Sequence, residues 1–355
     1  MKFVRFVPGL LVVGLALMAC GGSSPSAPAA KKVALLLPES KTARYESKDR
    51  PLFEAKLKSL CSDCTIIYSN ANQDAPTQQT QAEAALTNGA NVLVLDPVDG
   101  KAAAAIVAKA KAAKVPVISY DRLILGTADL NYYLSFDNAA VGALQGNALL
   151  TALGSKTKPT VVMINGDPAD NNAKLFKQGA HSVLDGKVTI AKEYDTPSWS
   201  PDTAQTEMAG AITAIGKTKI DGVLAANDGT GGGAIAAMKQ AGISPLPPVT
   251  GQDAELAAIQ RIVTGEQYMT VYKAIKAEAE AAATLAYDLA FGVAVPSSML
   301  NGKINNGSAD IPSVLLTPVS VTKSTVSSTV IADGFWTKAD ICTAQYADAC
   351  TKAGL

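Results

Sequence analysis

The sequence predicts an α/β fold of two similar doubly wound parallel-sheet lobes, on three observations. Short, uninterrupted apolar segments alternate with helical stretches from Lys32 onward. The rhythm restarts near Thr160. In both halves, two consecutive strands end in an Asp at the same spacing. Uninterrupted apolar strands joined through helices are the pattern of a parallel sheet covered on both faces.

In the first half, VALLLP (33–38) reads as a buried strand, 48–60 as a helix and TIIYS (65–69) as a strand. Thr77 to Asn88 reads as a helix closed by Gly89, NVLVLD (91–96) as a strand, 101–114 as an Ala-rich helix and VPVISYD (115–121) as a strand. In the second half, TVVMIN (160–165), VTIAKEY (188–194), DGVLAAND (221–228) and PPVTGQDA (247–254, with its exit) read as strands. The helices between them are 172–184, 202–216 and 232–242. As many residues separate Asp96 from Asp121 as Asp228 from Asp253, with one helix between each time, which suggests duplicated lobes. Open parallel sheets bind ligands outside the carboxyl ends of their strands. All four carboxylates lie there, so two facing lobes would point them into one cleft. The acid–base pair Asp121–Arg122 then marks its rim.

A chain of 355 residues suffices for two lobes with sizeable cores. Its 48% apolar and 17% charged content excludes a disordered protein. A net charge of zero gives no electrostatic case for nucleic acid. His181 is the single histidine, so no two-histidine metal site is possible, and neither metal nor cofactor is expected. The first strand runs into PESK, not GxGxxG, which argues against a dinucleotide enzyme. GTGGG (229–233) lacks the Lys-Ser or Lys-Thr of a nucleotide loop, and DPADNN (167–172) lacks the glycine and glutamate of a calcium loop. No catalytic residue is expected.

Residues 1–20 form a leader: Lys2 and Arg5, then an apolar run from Phe6 to Ala19, too short to span a bilayer comfortably. Leu17-Met18-Ala19-Cys20 resembles a bacterial lipobox, which makes Cys20 the expected lipidation site. Residues 21–31 read as a flexible linker of small residues and Pro. The chain is thus expected to be exported and lipid-anchored, at the outer face of the cytoplasmic membrane or in the periplasm. Cys61, Cys64, Cys342 and Cys350 remain, an even count that suggests two disulfides with three possible pairings. CSDC (61–64) follows a helix and precedes a strand, unlike a redox motif of the thioredoxin type.

Six motifs carry a family resemblance: YDRLI (120–124), YYLSFDN (132–138), DPADNNAKLFKQG (167–179), AANDGTGGGAIAAMKQAG (225–242), TGQDAELAAIQ (250–260) and MTVYKAI (269–275). In this order they resemble the periplasmic sugar-binding proteins of ABC importers, the D-xylose-binding group closest, from about Val33 to Gly334. The resemblance implies the type I periplasmic binding protein fold with a three-segment hinge, crossed near Phe136–Asn138, Tyr272–Ala274 and Thr317–Pro318. One lobe is expected from 32–137 plus 273–316, the other from 138–272 plus 317–355. It also implies a monomer that captures a monosaccharide, D-xylose or a close aldose, and delivers it to an ABC permease. The alternative is a sensory subunit that presents the closed form to a membrane receptor or kinase.

The implied sugar contacts are Arg44, Tyr45, Asp121, Arg122, Asn172, Trp199, Asn227, Asp253 and Lys273. Tyr45 stands where the family usually has Trp. Asp170 is read as a helix cap, and Asp228 as a second possible cap. These residue types suit a sugar: carboxylates and amides bracket vicinal hydroxyls, cations donate to oxygens, and aromatic rings cover C–H faces. The lobe assignment separates Cys61/Cys64 from Cys342/Cys350, so the local pairs are preferred, because a link between lobes would hinder closure. The tail 336–355 has no family counterpart.

Overall fold

The computed structural model describes residues 30–355, so the leader, Cys20 and residues 21–29 of the linker lie outside the described residues. Among the described residues, no helix is long and apolar enough to cross a membrane.

The chain begins with β1 (Lys32–Leu37), α1 (Arg50–Leu60), β2 (Thr65–Asn70), α2 (Ala75–Thr87), β3 (Val92–Leu95), α3 (Ala104–Ala112), β4 (Val117–Tyr120) and β5 (Tyr132–Phe136). Alternation along β1 explains this half. Val33, Leu35 and Leu37 enter one core with Phe53 and Leu57 of α1. Ala34 and Leu36 enter another with Ala82, Ala85, Ile106 and Val107 of α2 and α3. A strand buried on both faces has no polar face, hence the uninterrupted apolar run. β1 pairs in parallel with both β2 and β3, so the strand order reverses beside it. Ligands of doubly wound sheets bind at such a switch point, at the carboxyl ends.

The second half contributes α4 (Asn138–Leu153), β6 (Thr160–Asn165), α5 (Asn171–Leu184), β7 (Thr189–Asp195), α6 (Pro201–Ile215), β8 (Gly222–Ala225), α7 (Asp228–Gln240), α8 (Leu256–Thr264) and β9 (Met269–Tyr272). β7, β6 and β8 form a parallel sheet in that order. The strand expected over 247–254 is reduced to two isolated bridges, Val223 with Val249 and Gln252 with Val271. Pro247 and Pro248 lack the N–H a ladder needs, and Asp253 and Ala254 are left-handed at φ +91° and +49°. α7 starts at Asp228 rather than at 232, because Asn227 and Thr230 form a capping box.

The chain then runs through α9 (Ile275–Phe291), β10 (Gly302–Asn305), β11 (Asp310–Leu316), β12 (Val319–Thr322), α10 (Lys338–Ile341) and α11 (Ala347–Lys352). α9 packs on α1 and on β1, β3, β4 and β5. β11 extends the first sheet in parallel beside β5, and β10 closes that edge antiparallel, so the first sheet is not wholly parallel. β12 pairs antiparallel with β9, and α10 and α11 pack on α8. Disulfides join Cys61 to Cys64 and Cys342 to Cys350, with Cα separations of 5.3 and 5.8 Å.

Candidate functional site

The turns that follow the strands of both sheets converge on one cluster of buried polar groups. After β1, Arg44 is fixed by two acids: Nε and Nη2 donate to the Asp49 carboxylate at 2.9 and 2.6 Å, and Nη2 also donates to Glu278 Oε2 at 2.6 Å. That leaves Arg44 Nη1, 3.5 Å from Asp121 Oδ1 and 3.8 Å from Asp253 Oδ1, with no hydrogen-bond partner among the described residues. Tyr45 lies with its ring 5.4 Å from the Arg44 guanidinium and 5.5 Å from that of Arg122, and its hydroxyl donates to Asp121 Oδ2 at 3.1 Å.

After β4, Asp121 adopts φ +52° and receives the Lys273 ammonium on Oδ1 at 3.1 Å. Burial pushes the Asp121 carboxyl up, but Arg44, Lys273 and Arg122 outweigh it and hold it well below the usual carboxylate range. Arg122 lies among Asp170 (3.1 Å), Glu39 (3.5 Å) and Asp96 (3.6 Å). Its Nη1 has no partner among the described residues.

The second half supplies the opposite wall. Asp170 caps α5 by accepting the Asn172 N–H at 2.8 Å, and it also accepts the Trp199 indole N–H at 3.2 Å. Asn172 donates to the Asp121 carbonyl at 2.9 Å. Trp199 is buried at φ +52°, edge-on to Phe176 with centroids 6.3 Å apart. The indole fits because residue 166 is Gly: a Cβ there would stand 2.0 Å from the ring. Asn227 lies at the start of α7, where its side-chain oxygen accepts the Thr230 N–H. Asp253 Oδ1 and Gln252 Oε1 are buried without partners among the described residues. Burial raises the Asp253 carboxyl despite Lys273 and Arg44.

All nine expected contact residues line this one cavity, together with Thr42, Asp170, Phe176 and Gln252. Phe176 was legible in principle: it lies one helical turn beyond Asn172, on the same face of α5. Gln252 adjoins Asp253 and lines the cavity beside it. Asp170 is the expected cap, and it lines the cavity as well. The four strand-end acids do not all enter the cleft. Asp96 is buried behind Arg122, and Asp228 behind Asp253, where it accepts from Gln267 Nε2 at 2.7 Å, Thr270 Oγ1 at 2.9 Å and Glu255 N at 3.0 Å. Asp228 is not the cap of α7 either; Asn227 is.

The cavity is tight, about 20 Å³ for the centre of a water-sized sphere. A roomier groove of about 690 Å³ lies elsewhere, between Leu246–Pro248 and Lys323, but none of its lining side chains is a buried polar atom without a partner. Among the described residues, no cluster of His, Cys, Asp and Glu is placed to hold a metal.

The profile of the periplasmic binding protein domain matches residues 33–293. A D-xylose-binding periplasmic protein of Haemophilus influenzae is 38% identical over 315 residues, covering 87% of this chain and 92% of its own. A multiple sugar-binding periplasmic protein of Azospirillum brasilense is 33% identical over 351 residues, covering 93% and 96%. Among solved structures, an ABC transporter solute-binding protein from Clostridium phytofermentans with bound β-D-glucose superposes with a TM-score of 0.80 at 30% identity, covering 88% of this chain and all of that one. Strand-end clusters facing each other across two α/β halves, and a family profile over most of the chain, make this protein a member of the periplasmic binding protein family, with its two-lobed type I fold.

Proposed function

We propose that this chain is the extracytoplasmic solute-binding component of an ABC importer and that it binds one monosaccharide, D-xylose or a close aldose, between its lobes. The lobes divide at 137/138, 272/273 and 316/317. One observation carries the reading. Buried polar atoms around the cavity, among them Arg44 Nη1, Arg122 Nη1, Gln252 Oε1 and Asp253 Oδ1, have no hydrogen-bond partner among the described residues. Buried groups of this kind are costly unless a ligand completes them. Of these four, two are donors on the first half and two are acceptors on the second. A ring of hydroxyls, each donor and acceptor at once, answers both sets. Trp199, Phe176 and Tyr45 supply apolar faces for the C–H surfaces of the ring.

The names of the relatives support a sugar, and the two D-xylose-binding relatives at 38% identity favour a pentose. The cavity has room for about one or two waters. A pyranose therefore enters only when the lobes part, and it replaces direct contacts between them such as Arg122 with Asp170. The ligand shifts the equilibrium toward the closed form by its differential affinity for it. Cys20 would carry the lipid that keeps the protein beside the permease.

Calorimetric titration of residues 31–355 with D-xylose, D-glucose, D-galactose, L-arabinose and D-ribose tests the reading. One sugar is expected to bind one-to-one, with binding lost in Asp253→Ala. Silence across the panel refutes a monosaccharide ligand.

A further inference from the structure

The C-terminal segment, which lies beyond the residues the family profile matches, touches the supports of the cavity from both sides. Phe335 shares a core with Ala254, Ile259, Ile262 and Tyr272, and Trp336 packs against it. The Trp336 indole N–H donates to the Ala254 carbonyl at 2.8 Å. Ala254 is fully buried and left-handed, directly after the left-handed Asp253 of the cavity. Its N–H already donates to Thr270 Oγ1, so the indole supplies the partner for its carbonyl.

Against the same indole lies Lys48. Its ammonium is 3.7 Å from the Trp336 ring centroid and 4.7 Å from that of Phe335, and it donates to the Phe335 carbonyl at 2.7 Å. Lys48 belongs to the π-helical turn Tyr45–Asp49, which also carries Tyr45 into the cavity and holds Arg44 through Asp49. The tail itself is pinned to α8: Gln260 donates to the Asp340 carbonyl at 3.3 Å, and the Cys342–Cys350 bridge places buried Cys350 in the same core.

A continuous set of contacts thus links the cavity turn of one half (Tyr45) to the cavity turn of the other (Asp253), through Lys48, Trp336 and Ala254. We propose that Lys48 and Trp336 form a latch outside the cavity that holds the lobes closed and so sets how slowly bound sugar leaves; this rests on the function proposed above. An ammonium seated on aromatic faces and a carbonyl is a directional contact, and partial burial strengthens it. Neither side chain lines the cavity. Loss of the latch should therefore act on dissociation, not on encounter.

Stopped-flow kinetics and calorimetry on residues 31–355 with D-xylose, or with whichever aldose of the panel binds, test the latch. In Lys48→Met, which keeps the apolar stem, the dissociation rate is expected to rise about tenfold, or about 1.4 kcal/mol. The association rate should stay within about twofold, since related complexes differ mainly in dissociation. Lys48→Arg should restore slow release, and Trp336→Phe, which keeps a ring but loses the N–H, should release as fast as Lys48→Met. The melting temperature of ligand-free Lys48→Met should match that of the wild type. An unchanged dissociation rate overturns the latch, and so does a fall in the ligand-free melting temperature that Lys48→Arg does not repair. A wild-type chain that binds no sugar overturns the functional reading and the latch with it. Wild-type binding with unaltered Lys48→Met kinetics overturns the latch alone.

Discussion

Asp121→Asn removes one negative charge from the centre of the site and keeps the shape of the side chain. Lys273 is 2% exposed, and its ammonium has Asp121 at 3.1 Å; its next acid is Asp253 at 3.9 Å. Phe136 and Phe176 flank it, with ring centroids 5.3 and 5.8 Å away. Taking one partner from a buried pair costs about 3–5 kcal/mol, because the other charge stays buried. The amide oxygen still accepts one hydrogen bond, so the lower end, about 3 kcal/mol, applies. An unfolding entropy of about 2.1 cal/mol/K per residue gives about 0.7 kcal/mol/K for a chain of this size, hence a fall of about 4 °C in Tm. The assay is calorimetric unfolding of the ligand-free protein at several pH values. The folded Asp121 carboxyl lies below its ordinary value, so its contribution is present above that value and is lost as pH falls through the depressed one. The gap between wild type and variant should therefore persist down to about pH 4 and close only below it. A loss under about 1 °C, or a gap that closes near pH 6, would refute the argument that Asp121 is the charge that makes buried Lys273 tolerable.

Trp199→Ala should weaken sugar binding more than a hundredfold by calorimetry, the loss of about 3 kcal/mol typical of a buried aromatic anchor. A change below about fivefold would mean that the ring packs only against protein. Burial raises the Glu255 carboxyl to about 8, helped by Asp228 and Asp253. A folded pKa above the ordinary one gives stability that is full below about pH 4.3 and lost as pH rises toward 8. Glu255→Gln should accordingly flatten the decline in urea-unfolding free energy between pH 5 and 8, by up to about 1.4 kcal/mol per pH unit; an unchanged slope counts against it. Cys342→Ser with Cys350→Ser opens a loop of sequence separation 8. Loop-closure entropy puts the loss at about 2.5 kcal/mol in urea unfolding, and no loss would mean that packing alone holds the tail.

The strands and most helices were legible because their burial is two-sided and regular. Val33–Leu37 alternate between two cores, so every position had to be apolar, and the run stands out from any single-faced pattern. The helix 172–184 was legible by its period instead, with Phe176, Ala180 and Leu184 recurring on one buried face. The failures sit where backbone chemistry overrides hydrophobicity. Residues 249–254 are buried like a strand, yet two prolines before them and two left-handed residues at their end leave only bridges. The antiparallel β10 carries half-exposed residues and no apolar run. The Lys48–Trp336 contact joins residues far apart in the chain, and nothing local marks it.

The four strand-end acids show why the site was legible in position and not in full. A strand end fixes where a side chain lies along the sheet, but the dihedrals of the turn decide where it points. Asp121 and Asp253 have φ of +52° and +91° and reach the cavity; Asp96 and Asp228 are not left-handed, and both are buried behind it. The same division occurs once in each half, at equivalent places in the repeat. In each half, the acid at the end of the later strand faces the cavity and the earlier one lies behind it, Asp96 against Arg122 and Asp228 holding the N–H of Glu255. A left-handed Asp costs free energy that an ordinary turn avoids, and such residues persist where the surrounding structure holds them. The duplicated spacing in the sequence therefore encodes a pair of positions: one carboxylate that faces the cavity and one buried behind it.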